Sequence, residues 1–182
     1  MKREKPIFLI GYMGCGKTTL GRALQKRLGL RFFDLDTYVE ERLGCSVAEC
    51  FARYGEARFR EEESRSVSRL CADALREGNY LIACGGGTPC RPGMMELLNS
   101  CGLTVHLTTS VERLVERLCV ARSHRPLIAG LSDGELSAFV RGQLALRMPF
   151  YSRAAAEFDS TFLEDEAQIE ATVDNFIKRF IE

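Results

Sequence analysis

The chain has 182 residues, of which 46% are hydrophobic and 27% charged, the proportions of one globular domain with an ample core. Its 25 basic residues balance 25 acidic ones, so no net field favours nucleic acid or an anionic membrane surface. No apolar stretch reaches membrane-spanning length, and a single cytoplasmic domain spanning 1–182 is expected.

The first apolar run, Pro6 to Ile10 (PIFLI), has strand length. The basic residues before it loosely imitate a signal peptide, but the run is too short. Residues 11–18 then read GYMGCGKT and fit G-x-x-x-x-G-K-[ST]. A helical pattern follows, with Leu20, Ala23, Leu24 and Leu28 apolar and Gly29 as a stop. Strand, glycine loop and helix in that order point to a phosphate cradle. Small residues at Gly14, Cys15 and Gly16 let backbone N–H groups converge on phosphate oxygens. The helix dipole points at the same anion, Lys17 reaches the β- and γ-phosphates, and Thr18 offers a hydroxyl to Mg²⁺. A nucleoside triphosphate is the expected ligand.

A short strand is predicted over Leu30–Phe33, ending at Asp34-Leu35-Asp36. If the chain stays extended there, the two carboxylates point in opposite directions, one toward Lys17 and a metal, the other toward an acceptor. A turn or a helix N-cap is an equal alternative for these aspartates. Helices are predicted over Thr37–Leu43, Ser46–Tyr54 and Glu56–Arg76. The last of these places Arg60 and Glu63 on one face, a spacing that usually means a surface ion pair.

Tyr80–Cys84 reads as a buried strand running into Gly85-Gly86-Gly87, where backbone can approach a ligand closely. A plain hinge turn is the alternative. Pro92 suits the first position of a helix through Leu98. Leu103–Leu107 is the next strand and Val111–Cys119 the next helix. Residues 120–131 (VARSHRPLIAGL) form a basic stretch that is either a closing lid or a solvated loop. Ser132 with Glu135 makes a capping box opening a helix toward Leu146, and Arg147 follows in RMPFY. A last strand near Ser160–Leu163 and a helix from Asp165 to Ile181 complete the chain. This alternation predicts an α/β three-layer sandwich, helices on both faces of a central, mostly parallel sheet of about five strands.

The basic residues are five lysines and twenty arginines, a bias that suits the bidentate grip of phosphates and carboxylates. Eight cysteines occur without any C-x-x-C pair, and His106 and His124 add no ligand spacing, so a structural zinc site is not expected. Cys15 is either a reactive thiol at a helix N-terminus or a small spectator in the loop.

In combination these residues resemble the shikimate kinase family. The matched elements are GYMGCGKTT (11–19), FFDLD (32–36), FREEE (59–63), GGGT (85–88), RPLI (125–128) and RMPFY (147–151), in one order along the chain. The resemblance implies a P-loop kinase fold with a mobile lid, ATP and shikimate as ligands, Mg²⁺ as cofactor, and a monomer without nucleic-acid or membrane partners. The implied reaction is phosphoryl transfer to the 3-hydroxyl of shikimate, a step toward aromatic amino acids. By the same resemblance, Gly14, Cys15, Gly16, Lys17, Thr18 and Thr19 hold the phosphates, with Thr18 and Asp34 on the metal. Asp36 binds the shikimate hydroxyls and acts as base. Arg60 and Arg147 grip the carboxylate, Gly85, Gly86 and Gly87 contact the ring substituents, and Glu63 holds Arg60. Arg125 comes in with the lid, and either Arg117 or Arg122 takes a second basic role near the adenine. A gluconate-type kinase of the same build, or a non-catalytic nucleotide-binding module, remains as the alternative.

Overall fold

The computed structural model describes residues 5–122 and 127–182. Five strands, β1 (Ile7–Ile10), β2 (Arg31–Asp34), β3 (Tyr80–Ala83), β4 (Leu103–Thr108) and β5 (Ala156–Asp159), form one sheet in the order β2-β3-β1-β4-β5. Every pairing is parallel, with Ile7 opposite Leu81 on one side and Leu103 on the other. All four residues of β1 and of β3 are buried, which requires cover on both faces of the sheet and explains why these strands are continuous apolar runs. The edge strands are wetter: in β5 only Phe158 is buried.

Helices α1 (Lys17–Leu28), α2 (Leu35–Leu43), α3 (Val47–Glu77), α4 (Met94–Cys101), α5 (Val111–Val120), α6 (Asp133–Tyr151) and α7 (Glu166–Phe180) provide that cover. Most boundaries follow local chemistry. Gly29 ends α1 in the left-handed conformation, its N–H closing on Gln25 O. Reciprocal capping boxes open α3 at Ser46/Glu49 and α6 at Ser132/Glu135. Gly55, at φ 76° and ψ 166°, breaks α3 into the two helical segments expected on either side of it.

Among the boundaries that differ from expectation, three lie in the second half of the chain. The last strand is Ala156–Asp159 rather than Ser160–Leu163, because residues 156–159 pair with β4 while Ser160 turns inward beneath the phosphate loop. Pro92 lies ahead of α4, which begins after Gly93 in the left-handed region at φ 76° and runs to Cys101. Helix α6 continues past Leu146 to Tyr151, with Pro149 inside its last turn, where the ring removes one i→i−4 hydrogen bond just before the helix ends. Among the described residues, no helix is long and apolar enough to cross a membrane.

Candidate active site

The loop between β1 and α1 lies at the carboxyl edge of the sheet, beside its two central strand neighbours. Gly16 caps α1 with φ 95° and no side chain to satisfy the first N–H groups, so these donors are left for an anion. A methyl at Gly16 would come within 2.3 Å of Leu163 Cδ1, so this position excludes a side chain on two grounds. Lys17 Nζ donates to the carbonyls of Gly11 and Tyr12, both at 2.9 Å, and so holds its charge over the loop. Thr18 Oγ1 donates to Asp34 Oδ2 at 2.8 Å, joining α1 to the end of β2. From below, the Ser160 hydroxyl sits 2.7 Å from Cys15 O and 3.0 Å from Thr108 O, bracing the loop. The Cys15 side chain is buried beneath the loop, in the place of a packed spectator.

The chain does not stay extended between the two aspartates. Asp34 ends β2 and caps α2, and Asp36 lies in the first turn of that helix. The change from strand to helix, rather than strand alternation, separates the two carboxylates. Asp36 faces β3: a methyl at Gly85 would stand 2.5 Å from Asp36 Oδ1 and 3.1 Å from Thr88 Oγ1. Burial, reinforced by the charges of Asp34 and Glu63, pushes the Asp36 carboxyl up from 3.8 to about 6, against the lowering influence of Lys17 and Arg60. A carboxylate tuned toward neutrality suits a general base.

The Arg60–Glu63 pair is not the surface contact its spacing suggests. Glu63 is fully buried, with Arg60 Nη1 at 3.1 and 3.3 Å from its two oxygens and the Thr88 hydroxyl donating at 2.6 Å. Arg60 reaches across the glycine turn, its Nη2 3.2 Å from where a methyl at Gly87 would stand, and Arg147 Nη1 lies 3.1 Å from the same point at Gly86. Arg147 also lies over the Tyr12 ring, 5.2 Å from its centroid. One helical turn further on, Tyr151 donates its hydroxyl to Gly86 O at 2.6 Å. The two arginines, from α3 and α6, thus converge on one three-glycine turn.

A cavity of about 560 Å³ collects Gly14, Gly16, Lys17, Thr18, Thr19, Asp34, Asp36, Gly85 and Gly86, and extends to Arg117, Leu118, Val120, Ala121, Leu163 and Glu164. Arg60, Arg147, Gly87 and Glu63 flank it rather than line it. Arg125 lies outside the described residues. Of the two candidates for a second basic position, Arg117 is the one in this cavity. Its guanidinium donates to Gly14 O at 3.1 Å, Thr161 O at 2.8 Å and Glu164 Oε1 at 2.8 and 3.0 Å. Arg122 instead ties the segment after α5 together, bonding Leu131 O at 2.9 Å and pairing with Asp133. Thr88, Tyr151, Ser160 and Glu164 received no role from sequence. Thr88 and Tyr151 end motifs already noticed, whereas Ser160 and Glu164 lie in an irregular segment with no pattern to mark them.

The match to known proteins is extensive. The family model for shikimate kinase matches residues 13–180. The chain belongs to the shikimate kinase family. It is 44% identical to the shikimate kinase of Phocaeicola vulgatus over 95% of this chain and 97% of that one. It superposes with a TM-score of 0.89 on the crystal structure of shikimate kinase from Bacteroides thetaiotaomicron, at 41% identity, covering 96% of this chain and 97% of that one. The shikimate kinase of Acinetobacter baumannii, solved in complex with shikimate, gives a TM-score of 0.79 at 27% identity over 98% of this chain and 96% of the other. Family membership fixes the P-loop kinase fold and makes the chain an ATP-dependent enzyme, an ATP:shikimate 3-phosphotransferase. The gluconate-type and non-catalytic alternatives give way to it.

Proposed function

We propose that this shikimate kinase family member divides its reaction between the two halves of the site described above. The phosphate loop holds ATP through Gly14, Gly16, Lys17, Thr18 and Thr19, with the backbone of Cys15, and the nucleoside extends along the cavity toward Arg117. The observation that carries the reading is the convergence of Asp36, Arg60 and Arg147 on Gly85–Gly87, next to the phosphate loop. A small ring bearing one carboxylate and vicinal hydroxyls matches that arrangement, and a relative has been solved with shikimate bound. Arg60 and Arg147 receive the carboxylate, and Asp36 faces the hydroxyls.

In the transfer, Asp36 accepts the proton of the 3-hydroxyl as its oxygen bonds to the γ-phosphorus. The bond from that phosphorus to the β–γ bridging oxygen breaks, and ADP leaves. Lys17 and the amides of the loop hold the charge that develops on the phosphoryl oxygens. The hydroxyl of Thr18, 2.8 Å from a carboxylate oxygen of Asp34, supplies the hard oxygen donors that Mg²⁺ prefers. Bound there with ATP, Mg²⁺ would offset phosphate charge. Arg125 acts with the lid at residues 120–131, and closure keeps water from competing with shikimate for the phosphoryl group. We further propose that the chain works as one domain, a cytoplasmic monomer with no nucleic-acid or membrane partner; its zero formal charge supports the last of these.

The test is ADP release from Mg-ATP with shikimate, with gluconate and with no acceptor. Release that depends on shikimate, with ³¹P signals for a 3-phosphate ester, is the expected result. Release with gluconate alone would overturn the acceptor assignment.

A further inference from the structure

Glu63 is a carboxylate with no contact with solvent, and its main partner, Arg60, is already committed elsewhere. Arg60 donates Nε to Glu56 at 3.0 Å and Nη1 to Glu63 at 3.1 Å. On the reading above, it must also receive the carboxylate of shikimate. A substrate anion at Arg60 would then share one guanidinium with a buried anion, and like charges at such range repel strongly. A second cation is needed behind Glu63.

Arg91 stands there. It follows the three-residue 3-10 turn Thr88–Cys90, and its Nη1 lies 3.8 Å from Glu63 Oε2. That contact is charge attraction rather than a hydrogen bond, because Nη1 donates to Arg60 O at 2.5 Å and to Ser64 Oγ at 2.8 Å. One guanidinium therefore offsets the buried carboxylate and also grips the main chain of Arg60. The 3-10 turn that places Arg91 also carries Thr88, whose hydroxyl donates to the other Glu63 oxygen. The glycine turn, Glu63 and Arg60 are locked together from this side.

We infer that Arg91 is a positioning residue for the acceptor clamp: it balances Glu63 so that Arg60 can bind the substrate carboxylate. The inference rests on the assignment of Arg60 to that carboxylate. Arg91 touches neither the cavity nor the phosphate loop, so its influence should be confined to one of the two substrates.

Calorimetric titrations of shikimate and, separately, of a non-hydrolysable ATP analogue would test this on Arg91→Met, Arg91→Lys and Arg60→Ala. Arg91→Met should weaken shikimate binding about 10–100-fold, the scale of losing an outer partner of a binding group, and leave the nucleotide unaffected. Arg91→Lys keeps the charge and should recover most of that loss. In a Glu63→Gln background, Arg91→Met should cost much less, because the charge it offsets is gone. Unchanged shikimate affinity in Arg91→Met, with Arg60→Ala impaired, would overturn the role of Arg91 alone. Unchanged affinity in Arg60→Ala would instead remove the carboxylate clamp itself. Equal weakening of both ligands by Arg91→Met, with no recovery in Arg91→Lys, would reduce Arg91 to a structural residue and overturn the inference as well.

Discussion

Asp36 binds a proton more tightly than a free carboxyl because its surroundings disfavour its charge, and its ionisation at neutral pH must appear as a cost to the fold. The carboxyl moves from 3.8 to about 6, and a displacement of about two pH units corresponds to about 3 kcal/mol. Because the folded protein binds this proton more tightly than the unfolded chain, the contribution favours folding below pH 3.8. It is lost as the pH rises through about 6. Asp36→Asn removes the ionisation. In ligand-free protein with EDTA present, the variant should match the wild type near pH 4 and exceed it by up to about 3 kcal/mol at pH 7.5. For a chain of this length that is a Tm higher by about 6–12 °C. The same variant should lose about 10²–10⁴-fold in kcat while retaining shikimate binding, the usual yield of a positioned base. Urea unfolding of both proteins at several pH values measures the first effect, and steady-state kinetics the second. A stability difference that did not vary between pH 4 and 7.5, or a variant less stable at neutral pH, would refute the argument from burial and like charge.

The other expectations concern the walls of the same site. Gly85→Ala puts a methyl 2.5 Å from Asp36 Oδ1; moving that carboxylate by about 1 Å should lower kcat about 10²-fold with nucleotide affinity unchanged, as steady-state kinetics and nucleotide titration would show. Tyr151→Phe removes the 2.6 Å donor to Gly86 O and leaves that carbonyl without this partner, costing about 1–3 kcal/mol. Its effect should fall on KM for shikimate rather than on KM for ATP. Thr18→Val removes the hydroxyl that donates to Asp34, so activity should need more Mg²⁺ for half-saturation while the fold, followed by circular dichroism, is retained.

Local patterns made much of the fold legible. The apolar runs at 7–10 and 80–83 are strands buried on both faces, and the glycine loop, the capping boxes and the break at Gly55 carry their geometry in their residue types. The last strand was misplaced for a physical reason. Residues 160–163 look more strand-like than AEFD, but pairing with β4 decides the matter, and Ser160 is taken by the carbonyls beneath the phosphate loop. Glu63 shows the same limit: an i,i+3 spacing says that it meets Arg60, but only the packing of α3 against the glycine turn says that it is buried. Arg117 and Arg122 are alike in sequence, and what separates them is where α5 stops: Arg117 is still on the helix and reaches over the loop, whereas Arg122 lies beyond its end and turns toward Asp133 at the start of α6.

The distribution of charge in the site has a consistent logic. Asp34, Asp36 and Glu63 are carboxylates from three different elements, set near where two anionic substrates meet. Unbalanced, they would repel both. Lys17 and Arg60 lower the Asp36 carboxyl without overcoming its burial, so the base remains poised while substrate-binding cations remain available. Moving either cation away should therefore have two effects, weaker anion binding and a more strongly held proton on Asp36. The balance is set jointly by the phosphate loop and the glycine turn, which are joined by the β1–β3 pairing at the centre of the sheet. A substitution that separates those strands should impair ATP binding and proton transfer together, whereas one at Arg60 on α3 should change acceptor binding and the Asp36 proton while sparing ATP.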